Sequence, residues 1–186
     1  QDAVPFFYDY PASKMRMIGV TGTNGKTTTT HIIGHMLRSQ GYTVGIIGTV
    51  HILIDDQSYP IHNTTPDVAD LQQILQQMVD AGVTHCIMEV SSHALALGRT
   101  AGVEYDTAVF TNLTQDHLDF HKTFDNYLAA KSKLFKQVSA SYQMKEGKGA
   151  VINVDDDYGQ AIVDVTTAPM ITYSTEGKGT MNASEL

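Results

Sequence analysis

A single cysteine, Cys86, is all the thiol chemistry this sequence offers. No disulfide can close within the chain, which suits a reducing compartment. Cys86 lies in the apolar run His85-Cys86-Ile87-Met88 and is expected to be a small buried hydrophobe. Basic residues are scarce as well: 12 Lys and Arg stand against 20 Asp and Glu, a formal net charge of −8. That balance argues against general binding to nucleic acid or to a membrane surface, so an anionic ligand must be held by a local device. No apolar stretch approaches the roughly 18 residues of a membrane helix, and no basic-then-apolar start resembles a secretory leader. Internal repeats and low-complexity tracts are missing too. These absences leave a globular chain with a cytoplasmic setting, and 186 residues suffice for one domain with a substantial core.

What is present alternates strand and helix. The opening 1–14 has aromatics, Pro5 and Pro11 but no sustained period, and is expected to be a linker from a missing preceding domain. Residues 15–186 then form the main domain. Met15 to Thr21 is a short apolar run that predicts a buried strand. Lys26 to Gln40 turns helical, with Ile32, Ile33, Met36 and Leu37 on one face and Gly41 as the stop. Thr43 to Val50 predicts a second strand, and His51 to Ile61 a hairpin around Asp55-Asp56. Pro66 and Asp67 open a helix carrying Leu71, Leu75, Met78 and Val79, ended by Gly82. Strands are predicted at Val83 to Val90, Asp106 to Thr111, Gly149 to Val154 and near Met170 to Tyr173. Helices are predicted from Phe124 to Val138 and from Tyr158. The polar end, from Ser174 to Leu186, shows no closing element and is expected to be truncated. The fold class is α/β, a mostly parallel sheet with helices on both faces.

The first strand runs into Gly22-Thr23-Asn24-Gly25-Lys26-Thr27-Thr28, and a helix follows at once. Phosphate binding needs this order. Glycines let backbone N–H groups converge on phosphate oxygens, and the helix start adds partial positive charge. Lys26 can then reach the β- and γ-phosphates of ATP while the Thr27 hydroxyl ligates Mg²⁺. Val20 stands where the longer form of the motif has a glycine, so this is the shorter Gly-x-x-Gly-Lys-Thr loop.

In open α/β sheets ligands sit beyond the carboxyl ends of the strands. Glu89 ends the third parallel-type strand, ahead of Val90-Ser91-Ser92-His93, where a carboxylate can hold Mg²⁺; the alternative is a solvated loop acid. The fourth strand is followed by Asp116-His117-Leu118-Asp119-Phe120-His121, which spacing alone leaves open between a metal site and a capping turn. His31 and His35 are four apart on a helix, but Ile32 stands where a zinc-protease base would be, so they read as surface or packing residues. Thr64 and Thr65, ahead of Pro66, either cap a helix or meet an anionic substrate.

Taken together, five strings resemble the Mur ligases, which build the peptide of bacterial cell-wall precursors, and within them the branch that adds the third residue. They are Ile18 to Thr28, Thr64-Thr65-Pro66, Glu89 to Leu95, Thr111 to His121, and Ala129-Ala130-Lys131, in family order from about Tyr8 onward. The resemblance implies that this chain is the central, P-loop-containing ATP-binding domain of a three-domain enzyme, inactive as a ligase on its own. It implies that ATP phosphorylates the terminal carboxylate of UDP-N-acetylmuramoyl-L-alanyl-D-glutamate, and that the amine of a diamino acid attacks the acyl phosphate. By position, Thr27 or Thr28 and Glu89 would hold one Mg²⁺, and His117 would help hold a second. Lys131 matches a lysine that is carbamylated in the family and becomes a metal ligand; a helix-surface lysine is the plain alternative. Thr64, Thr65, Ser91 and Arg99 match contacts to the muramoyl-peptide, while Asn153 and Asp155, with Asn112 as a weaker candidate, match the nucleotide side. Rival readings are another Mur-type ligase or folylpolyglutamate synthetase, a plain P-loop NTPase, and a non-catalytic nucleotide-binding module. The resemblance brings no nucleic-acid or membrane partner, and it leaves meso-diaminopimelate and L-lysine equally open as the added residue.

Overall fold

A computed structural model describes residues 3–116, 118–140 and 145–183, Leu118 by its backbone alone. Among these residues nine strands form one sheet. They are β1 (Arg16–Thr21), β2 (Val44–Ile47), β3 (Ile52–Ile54), β4 (Gln57–Tyr59), β5 (His85–Glu89), β6 (Thr107–Phe110), β7 (Gly149–Asn153), β8 (Met170–Ser174) and β9 (Met181–Asn182). The helices are α1 (Ala3–Phe7), α2 (Lys26–Ser39), α3 (Val68–Asp80), α4 (Ser92–Leu97), α5 (Leu118–His121), α6 (Phe124–Ser139) and α7 (Gly159–Val165).

The strand order is β4-β3-β2-β5-β1-β6-β7-β8-β9, parallel throughout except for the β2-β3-β4 hairpins. From β1 the chain crosses to one side, to β2 and β5; from β6 it proceeds to the other. Loops leaving β1 and β6 therefore diverge, and the crevice between them is the switch point where such sheets take ligands.

Side chains alternate across the sheet, and each face has its own core. Val20, Val44, Ile46, Ile87 and Val109 pack with Ile33 and Leu37 of α2. On the other face Met17, Ile47, Met88 and Phe110 pack with Leu75 and Met78 of α3 and with Tyr127, Leu134 and Phe135 of α6. Cys86 is fully buried there, and burial pushes its thiol up to about 12, so it is inert at neutral pH.

Several expectations need adjusting. The opening segment, aperiodic in sequence, is helical at Ala3–Phe7 and a 3₁₀ turn at Pro11–Lys14, with Pro5, Pro11 and Ala12 buried. The short helix α4 was not anticipated, although its signals were readable: the Ser91 hydroxyl accepts from Ala94 N at 3.1 Å, and Gly98 closes the helix at φ 70°. The polar end contains β9, two residues paired with β8. Among the described residues no helix is long and apolar enough to cross a membrane.

Candidate active site at the carboxyl ends of the strands

The phosphate loop leaves β1 at Gly22. A Cβ there would lie 1.8 Å from Thr111 Oγ1, so only glycine lets the loop pass this close to the end of β6. Gly25 caps α2 at φ 83° and supplies no side chain to the first-turn N–H groups, which leaves a 14-residue helix with a bare positive end. The loop is braced from the next strand. Thr23 N donates to Asn112 O at 3.0 Å and Asn24 N to Asn112 Oδ1 at 2.9 Å, while Thr111 Oγ1 donates to Asn24 O at 2.7 Å. Asn112 thus positions the loop backbone. Its expected place on the nucleotide side is, in this arrangement, that of a brace.

Two ammonium groups converge on one carbonyl. Lys26 Nζ donates to Gly22 O and Thr23 O, each at 2.9 Å, and Lys131 Nζ donates to Gly22 O at 2.8 Å. Burial lowers the affinity of Lys26 for its proton, opposed by the charges of Glu89 and Asp116. For Lys131, burial and then repulsion by Lys26 bring the pKa down to about 7, with Asp116 opposing. Lys131 is 1 % exposed, so the helix-surface alternative is excluded.

Glu89 is likewise 1 % exposed, and the reading as a solvated loop acid falls with it. Its Oε1 accepts from Thr27 Oγ1 and Thr49 N, and its Oε2 from Thr49 Oγ1, all at 2.9 Å. Adjacent corners of a Mg²⁺ octahedron are about 2.9 Å apart, given metal–oxygen bonds of roughly 2.0–2.1 Å. The Thr27–Glu89 pair therefore fits that ion by hard-oxygen chemistry and by spacing. Thr49, which nothing in its local sequence marks, also meets Thr64 Oγ1 at 3.2 Å. The next residue, Thr65, is 1 % exposed; it donates to Glu89 O at 2.9 Å and accepts from Ser91 N at 3.1 Å. The 63–66 loop is thus joined to the Glu89 carboxylate through Thr64 and Thr49, and to the Glu89 main-chain carbonyl through Thr65, which also holds the Ser91 amide ahead of α4.

Other expected residues are engaged elsewhere. Arg99 Nε pairs with Asp67 Oδ1 at 2.8 Å. Asn153 Nδ2 donates to Thr111 O at 2.8 Å, and Asn153 Oδ1 accepts from Asp155 N at 3.0 Å. Asp155 accepts from Ser174 Oγ, from Thr175 N at 2.6 Å and from Thr175 Oγ1 at 2.8 Å, bonds that hold its carboxyl down to about 2. Both brace the chain beyond β7. Thr28 is exposed on the first turn of α2. His117 lies outside the described residues. His31 rests against the His51 ring at 5.3 Å, consistent with a packing role.

Fold and site together define a phosphate-loop α/β domain with a lysine–carboxylate pole at its switch point. The Mur ligase middle-domain profile matches residues 20–186, and the chain belongs to that family. The UDP-N-acetylmuramoyl-L-alanyl-D-glutamate–2,6-diaminopimelate ligase of Bacillus cereus is 50 % identical over 168 residues, covering 90 % of this chain and 34 % of that protein. The ligase of the same name from Geobacillus thermodenitrificans is 51 % identical over 180 residues, covering 97 % and 37 %. A solved structure of a ligase of this name superposes with a TM-score of 0.82 at 34 % identity, over 92 % of this chain and 34 % of that one. The chain thus spans about a third of the length of the curated relatives it matches.

Proposed function

We propose that this chain is the ATP-binding part of a longer ligase that joins 2,6-diaminopimelate to UDP-N-acetylmuramoyl-L-alanyl-D-glutamate. The observation that carries the reading is the convergence of Lys26, Thr27 and Glu89 beyond β1 and β5, in a chain about half identical to ligases named for that reaction. On this reading residues 15–186 form the ATP-binding domain, residues 1–14 join it to a preceding one, and the reaction belongs to the cytoplasm.

Phosphoryl transfer asks mainly for positioning and neutralisation of charge. Lys26, released from the Gly22 and Thr23 carbonyls, places its ammonium on the transferring phosphate, and the bare start of α2 receives phosphate oxygens. Thr27 and Glu89 would hold one Mg²⁺, and His117 with carbamylated Lys131 would help hold a second; such ions would supply neutralisation of the phosphate charge. A carboxylate oxygen of the muramoyl-dipeptide attacks the γ-phosphorus and ADP leaves. The diamino acid's amine then attacks the acyl carbon and phosphate leaves. Thr64, Thr65 and Ser91 would meet the arriving carboxylate, a reading supported by the bonds of Thr65 to the Glu89 carbonyl and the Ser91 amide. Carbamylation of Lys131 is supported by its chemistry: a buried amine titrating near 7 is partly neutral at physiological pH, the form that adds CO₂. The product is an anion where an ammonium would repel a metal.

The test is the full-length enzyme with ADP release as readout. The expected result is turnover that requires both the UDP-muramoyl-dipeptide and diaminopimelate, with L-lysine poorly used. ADP release that needs no acceptor would make the protein a plain NTPase and overturn the ligase reading.

A further inference from the structure

Tyr127 is fully buried within the α6 core, yet it keeps a phenol where the neighbouring core positions are Leu134, Phe135 and Val138. Its hydroxyl lies 3.0 Å from Thr23 Oγ1, in the middle of the phosphate loop. Burial raises the phenol's pKa, so it stays protonated. Thr23 Oγ1 accepts from Thr114 N at 2.9 Å, shares a hydrogen bond with the Tyr127 hydroxyl, and lies 3.3 Å from Thr114 O. The Thr23 carbonyl, in turn, holds Lys26 Nζ at 2.9 Å.

The ring is engaged as well. Lys131, one helical turn further along α6, carries its Nζ 4.7 Å from the ring centroid, as an i, i+4 pair on one face allows. His121 stacks on the ring with centroids 5.0 Å apart and planes 28° from parallel. The Nε2 of His121 lies 2.9 Å from the hydroxyl of Ser92, which is 2 % exposed at the first turn of α4. Side chains in contact therefore run from the start of α4, through His121 and Tyr127, to Thr23 and Lys131.

We infer that Tyr127 is a positioning residue for phosphoryl transfer: its hydroxyl fixes Thr23 in the phosphate loop and its ring seats Lys131. The inference rests on the ligase reading above and adds to it a residue that acts through Thr23 and Lys131. Because the hydroxyl and the ring do separate jobs, their loss has separate signatures.

In the full-length enzyme, Tyr127→Phe keeps the ring and drops the hydroxyl. It should weaken MgADP binding and raise the KM for ATP by roughly fivefold, the order of one hydrogen bond, with kcat within about twofold. Thr23→Val should do the same, Thr23→Ser, which keeps the hydroxyl, should lose clearly less than Thr23→Val, and the double variant Tyr127→Phe/Thr23→Val should be no weaker than the worse single. Tyr127→Leu removes the ring too, and should lower kcat by about tenfold beyond Tyr127→Phe through a displaced Lys131. Binding by calorimetry, steady-state kinetics and urea midpoints on the same samples separate these effects from general destabilisation. Unchanged ATP KM and MgADP affinity in folded Tyr127→Phe and Thr23→Val, or fully additive losses in the double variant, would overturn the inference. A wild-type enzyme that binds no nucleotide would instead overturn the ligase reading.

Discussion

The two ends of the sheet bury lysines in opposite ways. At the amino ends of the strands Lys145 is enclosed by partners: it donates to Asp106 Oδ2 at 2.8 Å, Met15 O at 2.6 Å and Glu104 O at 3.1 Å. Asp106, 3 % exposed, also accepts from Arg16 Nη1 and Met17 N, each at 2.7 Å. Burial lowers the Lys145 pKa, but the bond to Asp106 and the charges of Asp106 and Glu104 oppose it. At the carboxyl ends, Lys131 donates to a carbonyl that Lys26 also uses, and the strongest charge acting on it is the other lysine. One end neutralises its buried cation from within the chain; the other leaves room for negative charge to be supplied. Charge frustration of that kind marks functional sites, whereas compensation marks structural ones.

The contrast can be broken most severely at Lys26. Lys26→Ala in the full-length enzyme should lower ligation by at least about a thousandfold while the urea midpoint stays near wild type. Near-normal ADP release by the folded variant would remove Lys26 from the chemistry. Asp106→Ala attacks the other end. It strands Lys145 without its carboxylate and should cost about 3–5 kcal/mol of stability, with MgADP affinity of the folded fraction unchanged. A midpoint close to wild type would show that the cluster is not a structural clamp.

Lys131 sharpens the comparison through pH. Its folded pKa of about 7 lies below the unfolded value near 10.4, so below pH 7 both states carry the proton and the folded chain bears the full cost of burying it. Between pH 7 and about 10 the folded state releases its proton first, and stability rises. Lys131→Met should therefore be more stable than wild type near pH 6, by something on the order of a few kcal/mol, and lose that advantage as pH rises through the window. Its activity should be lost all the same. Lys131→Ala should likewise be inactive, with partial recovery in acetate. Equal stability of Lys131→Met and wild type across the pH range would mean that burying the Lys131 cation carries no net cost. Asp155→Asn carries the smallest expected effect. The folded carboxyl titrates at about 2, below its usual range, so its contribution is present above pH 4 and fades as pH falls through 2. The variant should show a slightly lower midpoint at pH 7, a difference that shrinks towards zero as pH falls through 2; a large loss of MgADP affinity would instead favour the nucleotide contact first expected of it.

What the sequence made legible follows the range of the interactions. Gly22 to Thr28 could be read because loop, lysine and helix start are contiguous, and Glu89 because an acid closing an apolar strand is conspicuous. Most strands and the longer helices followed from periodicity, and the α/β class with them, while α1, α4, α5 and β9 were too short to leave a period. Thr49, Tyr127, His121 and the Asp106–Lys145 pair could not be read. Their partners lie 40, 104, 29 and 39 residues away, and no local spacing encodes such contacts. The burial of Lys131 was not legible either, because nothing in Ala129-Ala130-Lys131 tells that α6 turns the lysine inward.

A magnesium–nucleotide site formed by Lys26, Thr27 and Glu89 is tested most directly by calorimetric titration of the chain with a non-hydrolysable ATP analogue. Binding should require Mg²⁺, vanish in Lys26→Ala and weaken in Glu89→Gln. Binding of equal strength in all three proteins, or with the metal chelated, would contradict it.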